Sequence, residues 1–257
     1  LVRSLSFRDD DFPHTGGMRY EDGVAQIPAV SLSVRAADRL SELLEASPGV
    51  RVMVETDCRQ QEERLSHNVI GEITGSAHPD EIITIGAHFD SWDVGEGAHD
   101  NGSGSMQALE AVHLLQELGY EFRRSVRVVL FANEEFGLSG ARAYGEAHKD
   151  EVARHVVAME ADLGPGAVLR YRVKSTEESI ADAREIIRFL APLGISWHST
   201  QARGGPDRIP LRRLDVPLID LSPDATLEEV FFRATEPGAP FEETPPESPQ
   251  TEGDRTS

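Results

Sequence analysis

The alternation of apolar and polar positions along the chain predicts strands that alternate with helices. Six runs rich in Val and Ile and bounded by turn residues are typical of strands: 50–55, 68–73, 81–87, 125–132, 155–161 and 216–221. Apolar residues at helical spacing predict four helices, within 33–49 and at about 105–118, 139–148 and 177–190. Such an order needs crossover connections, so we expect an α/β fold with a mostly parallel, mixed sheet and helices on both faces.

The composition changes near Ala234. The segment 234–257 holds five prolines and six acidic residues but one aromatic residue. A segment of this kind buries too little apolar surface to offset the chain entropy lost on folding. We therefore predict a disordered acidic, proline-rich tail.

The charge and the apolar runs exclude several classes of function. The formal net charge is -20, and because nucleic-acid binding needs clustered basic residues, no nucleic-acid partner is expected. The longest apolar runs, such as 126–132, are far shorter than the roughly 20 residues that span a bilayer, so no membrane role is predicted. The single cysteine, Cys58, excludes an internal disulfide framework and a cysteine-rich zinc site.

Acidic and imidazole side chains follow three of the predicted strands and precede the helix at 105–118. In parallel sheets ligands bind beyond the carboxyl ends of the strands, so these side chains should converge on one point. The set is His88 and Asp90 after the strand 81–87, Asp100 before the helix, Glu134 and Glu135 after the strand 125–132, and Asp162 after the strand 155–161.

Converging carboxylates with no basic residue nearby repel each other unless a cation lies between them. Zinc accepts this mixture of His, Asp and Glu ligands. Two ions bridged by one carboxylate would use more of the ligands than a single ion. The pattern therefore favours a dinuclear hydrolase site.

Position also indicates a role for each side chain. His88 is a candidate terminal ligand, Asp90 is placed to orient its ring, and Asp100 is the candidate bridge. Of Glu134 and Glu135, one would bind metal while the other acts as general base. Asp162 would complete the shell of the first ion. Each signal alone has an ordinary interpretation, as a surface histidine, a helix-start carboxylate pair or a turn.

Six further histidines are predicted to lie at the surface: His14, His67, His78, His113, His148 and His155.

Several segments resemble the M28-type di-zinc exopeptidases, in the branch similar to carboxypeptidase Q. They are "GAHFDSWDVGEGAHDNGSG", "RVVLFANEEFGLSGARAY" and "VVAMEADLG", with similarity from about residue 14 to about 224. The resemblance implies a zinc-exopeptidase-like fold in which 1–60 is the end of a small protease-associated-type cap and 61–233 is the catalytic domain. It also implies a dipeptide or short-peptide substrate, export to a secreted, periplasmic or lysosome-like location and a possible homodimer.

The same resemblance implies the ligand set. His88 and Asp162 would bind one zinc, Glu135 the other, and Asp100 would bridge the two. Glu134 would be the general base and Asp90 would orient His88. The reaction implied is hydrolysis of a peptide bond by a zinc-bound hydroxide.

One departure from the family pattern concerns the second zinc. The family holds that ion with a histidine near its C-terminus, whereas no histidine follows His198 in this sequence. The second site is therefore expected to be one ligand short, since neither His99 nor His198 stands at the family position. The alternative function is a catalytically impaired remnant that binds one metal ion or a peptide. The chain begins at Leu1 without a signal-like region, so any export signal is expected to lie upstream.

Overall fold

The computed structural model describes residues 1–4, 10–13, 20–57, 59, 61–92 and 95–222. The chain divides into two compact units, Leu1–Leu65 and Ser66–Ser257. Cys58 and the predicted acidic tail lie outside the described residues.

The first unit contains two short parallel strands, β1 (Val2–Arg3) and β2 (Ser31–Leu32), and the helix α1 (Val34–Ala46). The Ser33 hydroxyl caps the N-terminus of α1 by accepting a hydrogen bond from the amide of Ala36 at 3.0 Å. The predicted strand at 50–55 is wrong, because these residues form no regular element. Val52 and Met53 lie exposed, at 52% and 87%, so no described residue covers these two positions of the apolar run that suggested the strand.

The second unit is built on a seven-stranded sheet in the order β3-β5-β4-β6-β9-β7-β8. Strands β5, β4, β6 and β9 are consecutive and parallel, while β3 and β7 run antiparallel to their neighbours β5 and β9. The strands are β3 (Val69–Ile73), β4 (His78–His88), β5 (Arg124–Phe131), β6 (His155–Glu160), β7 (Arg170–Lys174), β8 (Ser196–Ser199) and β9 (Leu218–Ser222).

Helices cover both faces of this sheet, as predicted. They are α2 (Ser103–Glu117), α3 (Ser139–Ala147), α4 (Glu177–Leu190) and α5 (Ile209–Arg213). Alternate residues of β5 supply two separate cores. Val126 and Val128 pack with residues of α2, whereas Val129 and Phe131 pack with residues of α3 and α5. The strand is buried on both faces, which explains its almost continuous apolar sequence.

The sequence did not predict four of the strands, β1 and β2 in the first unit and β7 and β8 in the sheet, and it placed one histidine wrongly. β7 reads "RYRVK" and β8 reads "SWHS", both short and polar. His155 was expected at the surface but is 4% exposed, because it opens β6 in the sheet interior and its ring lies against Tyr144. None of the described helices is both long and apolar enough to cross a membrane.

Candidate metal centre

The predicted site residues lie at the carboxyl ends of the central parallel strands. His88 is the last residue of β4 and pairs across the sheet with Phe131, the last residue of β5. Glu134 and Glu135 follow β5 after two residues, and Asp162 follows β6 after one. The end of the sheet therefore brings together side chains that are up to 74 residues apart in the sequence.

His88, Asp100 and Asp162 form the first candidate ligand group. The Nε2 atom of His88 lies 3.0 Å from Oδ1 of Asp162 and 3.1 Å from Oδ1 of Asp100. The imidazole is 1% exposed, and the side chains of Asp162 and Asp100 are 17% and 61% exposed. One buried nitrogen thus faces two carboxylates that remain open toward solvent to different degrees.

The second ring nitrogen determines which tautomer His88 adopts. Its Nδ1 lies 3.0 Å from the main-chain oxygen of Asp90, which can only accept a hydrogen bond. The proton therefore sits on Nδ1, and Nε2 presents a lone pair toward the two carboxylates. Burial lowers the pKa of His88, but its contacts with Asp100, Asp162 and Asp90 outweigh burial and raise the pKa far above its ordinary value. The cluster of His88, Asp100 and Asp162 is therefore stabilised by a positive charge, which either a proton on Nε2 or a metal ion can supply.

Asp90 has a wider role than the sequence suggested. Its carboxylate lies 3.6 Å from Nδ1 of His88, so the backbone oxygen is the closer partner of the ring. The carboxylate accepts hydrogen bonds from the amides of Glu134 at 3.0 Å and Glu135 at 3.3 Å. Asp90 therefore ties the loop after β4 to the loop that carries both glutamates.

Glu134 and Glu135 form a second candidate group together with His88. Oε2 of Glu134 lies 4.0 Å from Nε2 of His88, and its side chain is 14% exposed. Burial, followed by the nearby carboxylates, raises the pKa of Glu134 to about 7. Burial and the carboxylate of Asp100 raise the pKa of Glu135 likewise to about 7. Oε1 of Glu135 is buried and has no hydrogen-bond partner among the described residues.

These features fit a divalent metal ion. A lone pair that faces two carboxylates, and a buried carboxylate oxygen without a donor, are the arrangements that metal coordination satisfies. His99 and His198 belong to neither candidate group in the part of the chain that the structure describes. The ring of His99 instead packs against Gly164.

Three buried charged residues behind the site were not assigned a role from the sequence. Glu160 ends β6, and Asp207 and Arg208 lie in a short turn before α5. Asp207 is 1% exposed and Arg208 is 0% exposed. The segment "GGPDRIP" carries no periodic signal that would mark Asp207 and Arg208 as buried.

Comparison with known proteins identifies the family of this chain. The model of peptidase family M28 matches residues 68–245, beyond residue 224, where the resemblance was expected to end. Carboxypeptidase Q of Mus musculus is 33% identical over 196 residues, which cover 76% of this chain and 42% of that protein. Carboxypeptidase Q of Homo sapiens is 34% identical over 206 residues, covering 79% of this chain and 43% of that protein. The chain thus spans less than half the length of these relatives.

A solved structure supports the fold. The peptidase M28 precursor from Shewanella amazonensis SB2B superposes with a TM-score of 0.78 at 34% sequence identity. The superposition covers 90% of this chain and 52% of that one. Residues 68–245, which the family model matches, include every strand that precedes a candidate ligand. The chain belongs to peptidase family M28.

Proposed function

We propose that this chain carries the catalytic site of a zinc-dependent exopeptidase that hydrolyses dipeptides or short peptides. The observation that carries the proposal is the buried Nε2 of His88, which faces the carboxylates of Asp100 and Asp162 with Glu134 beside them. Membership of the peptidase family indicates the reaction class. A cavity of about 300 Å³ next to Asp162 offers space for a short peptide.

The residues fall into three roles. His88, Asp100 and Asp162 would hold one zinc ion, and Asp100 and Glu135 would contact a second. Zinc bound there would supply Lewis acidity at the scissile carbonyl and would make the attacking water more acidic. Glu134 takes the proton from that water and delivers it to the departing amine. Burial, which raises the pKa of the Glu134 carboxyl above its ordinary value, favours the uptake of this proton.

Asp90 acts on the geometry of the reaction. Its backbone oxygen fixes the tautomer of His88. Its carboxylate accepts hydrogen bonds from the backbone amides of Glu134 and Glu135 and so fixes the backbone that carries their side chains. The ligand and the base therefore share one positioning residue.

The proposal extends to the rest of the chain. Residues 1–60 would be the end of a protease-associated-type cap, and 61–233 the catalytic domain. We further propose export of the protein and leave homodimer formation as a prediction.

The test is the substitution Glu134→Gln, which keeps the shape of the side chain and removes its basicity. We expect kcat for dipeptide hydrolysis to fall by about 10²–10⁴-fold, the usual contribution of a general base. Zinc affinity, measured by calorimetric titration, should be largely retained. The control is Glu117→Gln, at an exposed position of α2. Wild-type turnover by Glu134→Gln would refute the proposed role.

An alternative is a catalytically impaired remnant that binds one metal ion or a peptide. It is favoured by the ligand groups, because both contain the same histidine, His88. Counting bound zinc by native mass spectrometry separates the two functions. Two tightly bound ions per chain would contradict the alternative, and one or none would support it.

A further inference from the structure

Arg208 is a buried cation packed against the sheet directly behind the candidate metal centre. Its Nε and Nη2 atoms donate hydrogen bonds to the main-chain oxygen of Met159 at 3.1 and 2.8 Å. The guanidinium lies 4.9 Å from the centre of the Phe131 ring. It also fills the space above Gly86, where any side chain would overlap it. Gly86 is therefore required by a close approach of another side chain.

These three contacts fall on the three strands that carry the site. Gly86 precedes His88 by two residues on β4, and residues two apart share a face of a strand. Phe131 ends β5, pairs with His88 across the sheet and precedes Glu134 by three residues. Met159 on β6 precedes Asp162 by three residues. One planar group thus contacts all three of these strands near their carboxyl ends.

Two buried acids accompany this cation. Glu160 pairs with Gly86 across the sheet, and the negative charge of Asp207 lies close enough to raise the pKa of the Glu160 carboxyl. None of their four carboxyl oxygens accepts a hydrogen bond from a described N–H or O–H group. Burial raises the pKa of both carboxyls, to about 6 for Asp207, and the positive charge of Arg208 opposes this rise. Arg208 therefore also offsets the charge of the acids beneath the site.

We propose that Arg208 is a positioning residue for the metal centre, which holds the ends of β4, β5 and β6 at the spacing that the metal ligands and Glu134 require. This inference rests on the proposed function, since it concerns the same site. Its contacts are with backbone, an aromatic ring and a glycine, so it acts through the strands that carry the ligands.

Because Arg208 is positively charged, its positioning effect on the ligands can be distinguished from its electrostatic effect on the metal ion. Removing a positive charge near a cation site should by itself tighten cation binding. Losing the position of the ligands should weaken it. The sign of the change in zinc affinity therefore distinguishes the two effects.

The experiment compares Arg208→Met and Arg208→Lys with the matched control Arg127→Met. Arg127 is the second buried arginine among the described residues, and it pairs with Glu72 and Glu151 away from the metal ligands. For each variant we would measure zinc binding to the metal-free protein by calorimetry, the free energy of unfolding in urea, and kcat and KM for a dipeptide.

We expect Arg208→Met to weaken zinc binding and to lower kcat, each by about 10–100-fold, as is usual for residues that support metal ligands. KM should change little. Arg208→Lys should recover only part of both, because an ammonium group does not reproduce the planar stacking and the paired hydrogen bonds of a guanidinium. Arg127→Met should lose stability while its zinc affinity stays at the wild-type value.

The proposal is overturned if folded Arg208→Met binds zinc as tightly as the wild type or more tightly, or if Arg127→Met weakens zinc binding equally. Should Arg208→Met not fold, wild-type zinc affinity in Arg208→Lys would overturn it instead. A wild-type protein that binds no zinc would refute the proposed function and this inference together. If the wild type binds zinc but hydrolyses no dipeptide, only the proposed function fails, because the zinc affinities of the variants still decide the role of Arg208.

Discussion

Replacing Asp90 by alanine should damage stability and turnover together. The carboxylate accepts two backbone hydrogen bonds, from Glu134 at 3.0 Å and from Glu135 at 3.3 Å. In Asp90→Ala both amides lose their acceptor in a partly buried loop. His88 keeps its contact with the backbone oxygen of residue 90, because the substitution leaves the main chain in place.

The magnitude follows from these two contacts. A hydrogen bond to a charged group contributes about 1.5–3 kcal/mol. The second bond is long and the Asp90 side chain is 21% exposed, so water replaces part of the loss. We therefore expect the free energy of unfolding to fall by about 2–4 kcal/mol, a large part of the 5–15 kcal/mol typical of a domain. Because the backbone of Glu134 loses its hydrogen bond to Asp90, the general base is held less firmly and kcat should fall by about 10–100-fold.

Urea unfolding of the metal-free protein and dipeptide kinetics would measure the two effects. Asp220→Ala is a control for the stability measurement alone. The Asp220 carboxylate also accepts two backbone amides, from Arg203 and Gly204, each at 2.7 Å, but it lines the cavity beside Asp162. We expect a comparable loss of stability from the two substitutions. The reasoning fails if Asp90→Ala unfolds at the wild-type urea concentration, or if its kcat stays at the wild-type value.

Two further substitutions examine contacts that support the sheet. Burial raises the pKa of Glu151, but hydrogen bonds from Arg127 and His148 outweigh it and hold the pKa at about 2, below the ordinary 4.5. The stability that this ion pair contributes is therefore present above pH 4.5 and lost as the pH falls toward 2. The loss in free energy of unfolding caused by Glu151→Gln, measured in urea, should therefore become smaller over that range. A loss that does not change with pH would contradict this reasoning. Gly86→Ala should cost about 1–3 kcal/mol, because the new methyl group overlaps the Arg208 guanidinium. An Ala substitution at Gly71, where a methyl group would meet nothing within 4 Å, serves as the control.

The elements that sequence could predict are those whose signal is local. β5 is apolar on both faces because it lies between two cores, so its own nearly continuous apolar sequence predicts its burial. The positions of His88, Glu134 and Asp162 at strand ends follow from the same strands. Once a parallel sheet is inferred, the convergence of these side chains follows from topology.

The elements that sequence could not predict depend on distant partners. Residues 50–55 have the composition of a strand, yet no partner strand covers them among the described residues. β7 is short and alternates charged with buried residues, and it is held in place by pairing with β9 and β8. From the sequence, Arg208 would be expected at the surface, in a short segment between Pro206 and Pro210, and only the meeting of β4, β5 and β6 provides it with a buried position.

The same tertiary view indicates that two metal ions at this site would be held unequally. His88 offers a single lone pair, at Nε2, because Nδ1 is committed to the backbone of Asp90. Both candidate ligand groups contain this one imidazole, but one lone pair binds one ion. An ion bound by Asp100 and Asp162 would therefore gain a nitrogen ligand and two carboxylates, while a second ion would find only carboxylates among the described residues. Zinc prefers sites that include nitrogen, so we expect the ion beside Asp162 to bind more tightly than the one beside Glu135.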